Sequence, residues 1–66
     1  MKIKINGKEF ETDDNITLEK ALEKANIKAG GIATALNGEV IAASSRGMTK
    51  LGEGDNIVVI KAFYGG

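Results

Sequence analysis

Apolar and polar residues alternate from Met1 to Asn6: Met1, Ile3 and Ile5 fall on one side, Lys2, Lys4 and Asn6 on the other. Side chains along a strand alternate with period two, so this spacing predicts a strand with one buried face. Asn6-Gly7 follows, the dipeptide best suited to the positive backbone angles of a tight hairpin turn. Alternation resumes from Lys8 to Thr12, with Phe10 inward between Glu9 and Glu11. The chain thus opens on a predicted antiparallel hairpin. After Asp13-Asp14-Asn15 the period changes. From Leu18 to about Ile27 the apolar residues Leu18, Ala21, Leu22 and Ala25 lie on one helical stripe, and Glu19, Lys20, Glu23 and Lys24 cover the opposite side. Thr17 is a suitable N-cap, its hydroxyl free to accept from an unpaired backbone amide. Glu19 early and Lys24 or Lys28 late suit the helix dipole, and Gly30-Gly31 is the predicted stop.

Ile32 to Asn37 reads as a third strand, Asn37-Gly38 as a second tight turn, and Val40-Ile41-Ala42 as a short returning strand. Ala43 to Lys50 has no period and is expected to be irregular. Leu51 is expected to be an isolated core anchor before the turn Gly52-Glu53-Gly54-Asp55. Asn56 to Tyr64 is the strongest strand, nearly continuously apolar through Ile57, Val58, Val59 and Ile60. Such a run suits a central strand with both faces at least partly covered. The order predicts an α+β domain in which one helix covers one face of a mixed four- to five-stranded sheet. If the last strand paired parallel to the first, the arrangement would be a β-grasp; the pattern alone leaves other α+β packings open.

Composition narrows the function. Sixty-six residues make one domain, and a core this small often needs disulfides or metal. The chain has no cysteine and no histidine, which excludes a disulfide framework and the usual zinc sites. Nine basic and nine acidic residues balance, and the lysines are spread along the chain, so no basic stripe points to nucleic acid. No apolar run reaches transmembrane length, and the alternating N-terminus is unlike a signal peptide; a cytoplasmic protein without membrane or nucleic-acid partners is expected. No general acid-base pair or activated nucleophile can be read from the residues, so the chain is not expected to be an enzyme. The turn glycines Gly7, Gly38 and Gly54 are structural, and Gly30-Gly31 ends a helix instead of opening one, unlike a phosphate loop. Chemistry would have to be done to this chain by another protein.

Three segments carry a resemblance to a known family: Ala35-Leu36-Asn37-Gly38-Glu39-Val40-Ile41, Leu51-Gly52-Glu53-Gly54-Asp55-Asn56-Ile57, and the terminal Gly65-Gly66. With their spacing and the overall length, the chain resembles the sulfur carriers of thiamin thiazole biosynthesis, ThiS-like members of the ubiquitin-like β-grasp family. Many members have a proline and an arginine after the strand at Val40-Ile41; here the stretch is Ala42-Ala43-Ser44-Ser45, and the only arginine is Arg46. Phe63-Tyr64 is also bulkier than the small aliphatics expected before the diglycine.

The resemblance implies a β-grasp domain over residues 1–64 and a diglycine tail at residues 65–66. It implies that the Gly66 carboxylate is adenylated by an E1-like partner, which uses ATP and Mg, while this chain binds no cofactor of its own. Sulfur from a cysteine desulfurase or other persulfide donor would then give a thiocarboxylate, to be passed to thiazole synthase. An adenylating site must exclude water, so a narrow channel is expected. Gly65 gives clearance there because it lacks a Cβ. By itself a diglycine is equally a frayed terminus; the preceding motifs are what give it weight. On the same resemblance Ile57 and Val59 are expected to face the helix, and Val58 and Ile60 to face outward. Val58, Ile60, Phe63 and Tyr64, with Ile41, are the expected partner-binding residues. The alternatives are a carrier for molybdopterin or another sulfur pathway, although molybdopterin carriers tend to be longer. A ubiquitin-like protein modifier and a plain interaction domain also remain open.

Overall fold

The computed structural model describes residues 1–28 and 30–61. The elements are β1 (Lys2–Ile5), β2 (Lys8–Glu11), α1 (Leu18–Lys24), β3 (Ile32–Leu36), β4 (Glu39–Ile41), a 3₁₀ helix (Ala43–Met48) and β5 (Asn56–Lys61). The strands form one five-stranded sheet in the order β2-β1-β5-β3-β4. β5 pairs parallel with β1 and antiparallel with β3. The last strand is thus central, as its apolar run predicts, and the arrangement is the β-grasp.

Both tight turns form as the sequence implies. Asn6 and Gly7 have φ of 52° and 83°, and Asn37 and Gly38 have 51° and 87°, the pair of positive angles that a two-residue hairpin matched to strand twist requires. Each turn fixes a register: Ile5 sits opposite Lys8, and Leu36 opposite Glu39.

The helix begins as expected and ends sooner. Thr17 caps it, its hydroxyl accepting from Lys20 N–H at 3.3 Å. It stops at Lys24 and does not run to Ile27. The stop is Asn26, with φ of 60°, not Gly30-Gly31. Asn26 N–H donates to Glu23 O and Ile27 N–H to Leu22 O, the paired bonds of a Schellman ending. Asparagine can occupy this left-handed position because its short polar side chain tolerates it. Ile27 then folds back against the core beside Leu22, the hydrophobic contact that accompanies such an ending.

The core lies between α1 and one face of the sheet. Ile3, Leu18, Leu22 and Ile57 are its largest fully buried apolar side chains, joined by Ile5, Ile16, Ala21 and Leu51. Each large side chain contributes roughly 1.5–3 kcal/mol by leaving water. Leu51 is anchored as expected, with its N–H donating to Ile16 O at 2.9 Å while Leu18 N–H donates to Thr49 O at 2.8 Å.

Residues 43–50 are more ordered than their lack of period suggests. Most of the stretch is the 3₁₀ helix, and its one buried residue is Arg46. A hydrophobic pattern cannot reveal a segment whose inward residue is a cation. The returning strand is Glu39–Ile41, one position earlier than expected, because the two-residue turn pairs Glu39 with Leu36 directly.

Candidate functional site

The expected reactive group, Gly66, lies outside the described residues, as do Gly65, Tyr64 and Phe63. What the structure describes is the platform that precedes this segment: the end of β5 at Lys61, its neighbouring strands, and the sheet face beside it.

β5 presents alternate residues to the two faces. Ile57 is fully buried and Val59 packs against the core. Val58 and Ile60 point away from the helix and are 37% and 60% exposed. The register extends this outer row. Ala35 lies opposite Val58 and also opposite Val40, and Ala33 lies opposite Ile60. Val40 is 77% exposed. Val58, Ile60 and Val40 therefore form one apolar surface, floored by two alanines, across β5, β3 and β4.

Ile41 does not belong to this surface. It pairs with the buried Thr34 and packs against the core on the helix side. The physical reason is parity: a one-residue step along a strand changes face, and Val40, not Ile41, shares the face of Ala35. The signal was available in the sequence, since a two-residue turn at Asn37-Gly38 sets 35 opposite 40.

Arg46 is a second residue whose place pattern reading missed. It is only 4% exposed. Its Nε donates to Thr34 Oγ1 at 3.1 Å, and its Nη2 donates to Ile32 O at 2.9 Å. Thr34 Oγ1 in turn donates to Ile41 O at 3.0 Å. One buried guanidinium thus ties the 3₁₀ helix to the first half of β3 and, through Thr34, to β4. Buried charges persist where they are hydrogen-bonded. Arg46 braces the strand that pairs with the end of β5, and it is not presented to a partner.

At the tail root, Lys61 pairs with Ile32. Beside it an open cleft of about 580 Å³ lies between the end of the sheet and the segment after α1, lined by Asn6, Ile27, Lys28, Ile32, Val59 and Lys61. Among the described residues, no three acidic side chains gather where they could hold a metal ion, and no helix is long and apolar enough to cross a membrane.

A β-grasp domain with one helix, one open sheet face and a central last strand leading to a diglycine is the architecture of a ubiquitin-like carrier. The comparisons with known proteins agree. The sequence matches the ThiS family over residues 3–66; the chain belongs to that family, the ubiquitin-like sulfur carriers of thiamin biosynthesis. The structure is similar to the crystal structure of the thiamine biosynthesis protein ThiS from Geobacter metallireducens, with a TM-score of 0.82 and 26% identity, covering 100% of this chain and 99% of that one. It is also similar to a solution NMR structure of a thiamine biosynthesis protein from Geobacter metallireducens, with a TM-score of 0.74 and 25% identity over 100% of this chain and 88% of that one. No curated protein matches the sequence. Family membership implies partnership with enzymes of the thiamin pathway.

Proposed function

We propose that this chain carries sulfur on Gly66 for assembly of the thiamin thiazole and performs no catalysis itself. The observation that carries the reading is the family match, which extends through residue 66. A carboxylate is a poor electrophile. In the proposed reaction an E1-like partner uses ATP and Mg to join the Gly66 carboxylate to AMP, with release of pyrophosphate. The terminal sulfur of a persulfide, supplied by a cysteine desulfurase or another donor, attacks the acyl carbon and expels AMP. A thiol then cleaves the resulting acyl disulfide reductively, which leaves the thiocarboxylate for thiazole synthase. In this reading residues 1–64 are the docking domain and residues 65–66 the tail, with Gly65 clearing the partner's channel. The apolar surface of Val40, Val58 and Ile60 docks the partners, with Phe63 and Tyr64 continuing the contact.

The test is intact mass of the carrier after incubation with an E1-like adenylating enzyme, ATP, Mg and a persulfide donor. Exchange of one oxygen for sulfur is expected at the C-terminus, and deletion of Gly66 is expected to abolish it. No exchange with the thiamin-pathway enzyme, but exchange with the molybdopterin one, would move the carrier to the other pathway. A ladder of conjugates to other proteins would instead favour a modifier.

A further inference from the structure

The two Asn-Gly turns do more than reverse the chain. At each, the asparagine holds a positive φ and also aims its carboxamide at β5. Asn37 Oδ1 accepts from Asn56 N–H at 2.9 Å, and its Nδ2 donates to the Asp55 carboxylate at 3.1 Å. Asn6 Oδ1 accepts from Val59 N–H at 2.8 Å, and its Nδ2 donates to Val59 O at 3.3 Å. Because β1 runs parallel to β5 and β3 antiparallel, the turns that end these strands sit at opposite ends of β5. Asn37 holds the beginning of the strand, and Asn6 holds it two residues before Lys61.

The Asn6 contact has a specific form. Asn6 N–H donates to Ile57 O at 2.9 Å, and its carboxamide then takes both the N–H and the C=O of Val59. A side chain thus stands in for the next residue of a strand, and it extends the β1 side of the ladder past the point where β1 turns away. Strand backbone needs such partners. On the other side the ladder ends with Ile32 opposite Lys61, and Ile32 is itself braced through its carbonyl by Arg46.

We propose that Asn6 is a positioning residue for sulfur loading: by its two-point hold on Val59 it fixes where Lys61 hands over to residues 62–66. The inference rests on the reading of Gly66 as the activated group. Reaction at Gly66 needs its carboxylate within about 3–3.5 Å of the attacked atom in a partner's site. Small rotations at the root of a segment grow along its length, so a fixed root raises the fraction of docked complexes that are productive. Ordering achieved before docking is also a cost not incurred on binding. Asparagine suits this turn, but the turn requires only the positive φ, which glycine also supplies, whereas the hold on Val59 requires the carboxamide.

Glycine therefore separates the two roles. Asn6→Gly and Asn37→Gly each keep the turn and each remove one hold on β5, one near the tail root and one far from it. Pyrophosphate release by the E1-like enzyme is measured against carrier concentration for both variants and the parent. Asn6→Gly is expected to lower kcat about tenfold with KM unchanged, because the docking surface is intact but fewer docked tails are productive. Asn37→Gly is expected to leave both constants at the parental value. Amide hydrogen exchange supplies a readout without the enzyme: Val59 should exchange faster only in Asn6→Gly, and Asn56 only in Asn37→Gly. Parental kcat in Asn6→Gly overturns the proposal, and so does an equal fall in both variants, which would mark general softening of β5. If Asn6→Gly does not stay folded, Asn6→Asp keeps the acceptor for Val59 N–H and loses the donor to Val59 O, and is held to the same kcat-against-KM criterion. Failure of the parent chain to be adenylated at all would instead remove the Gly66 reading on which the inference stands.

Discussion

The face of the sheet that α1 leaves open divides along the line between β1 and β5. On the β1-β2 side it is charged: Lys2 lies opposite Glu11 and Lys4 opposite Glu9, all four exposed. On the β5-β3-β4 side it is apolar, with Val58, Ile60 and Val40 over Ala33 and Ala35. Both halves belong to one sheet and neither is covered by the helix, so the fold does not dictate the difference. The charged half shows how this sequence makes a solvated sheet surface, by placing opposite charges across neighbouring strands. The apolar half departs from that solution, although a contiguous exposed apolar patch carries a solubility penalty and usually marks an interaction site. The contrast is the physical ground for assigning docking to Val40, Val58 and Ile60.

The largest effect is expected on crossing from one face to the other along β5. Ile57→Asp places a carboxylate at a fully buried site without a partner for it, and unfolding is expected, since an unpaired buried charge costs several kcal/mol. Ile60→Asp, three residues on and outward, is expected to shift stability by about 0.5 kcal/mol or less. It should nevertheless weaken binding to the adenylating enzyme by about 2 kcal/mol, the scale of an interface anchor. Thermal unfolding and titration calorimetry on both variants check the pair. If Ile60→Asp also unfolds the domain, or binds as well as the parent, the apolar half is not a docking surface.

Val40→Asp comes next. Val40 lies on β4, an outer strand of the sheet, and is more exposed than Ile60. Rim positions carry less energy than central ones, so a loss of about 1 kcal/mol of affinity is expected, with stability unchanged. A larger loss than for Ile60→Asp would shift the centre of the contact toward β4.

Most of the fold was legible because its signals are local. Both Asn-Gly turns, the Thr17 cap, the inward row of Ile3 and Ile5 and the central last strand all follow from spacing within a few residues. The misreadings at the end of α1 and in residues 43–50 have a common cause: a polar residue takes a role that the hydrophobic pattern reserves for glycine or for an apolar side chain. Asn26 ends α1 where glycines were expected to do so, and Arg46 fills the inward position of the 3₁₀ helix. Asn6 reads as a turn residue, but its carboxamide belongs to β5, more than fifty positions away, a distance that no local window spans. The outer apolar row was half legible. The outward side of Val58 and Ile60 followed from the family resemblance, since a nearly continuous apolar run has no phase of its own, whereas placing Val40 there in place of Ile41 required register across the second turn.

The smallest expected effect comes from the charged half, and it is the sharpest control on the comparison. Lys4→Glu sets a carboxylate directly opposite Glu9. Like charges facing across strands destabilise by roughly 0.2–1 kcal/mol, and exposure puts the value at the low end. Because the repulsion acts through solvent, added salt should remove it, the screening length falling to about 3 Å at 1 M. The thermal midpoint of Lys4→Glu should therefore lie slightly below that of the parent at low salt and rejoin it at high salt. Affinity for the adenylating enzyme should not change at either salt concentration. Lys4 is next to Asn56 of β5 in the ladder, so it stands at the boundary between the halves. A loss of binding at Lys4→Glu that salt restores would mean that the partner reaches across that boundary and reads charge as well as apolar surface. A loss as large as that of Ile60→Asp would erase the division, and docking would then have to be assigned to the whole open face.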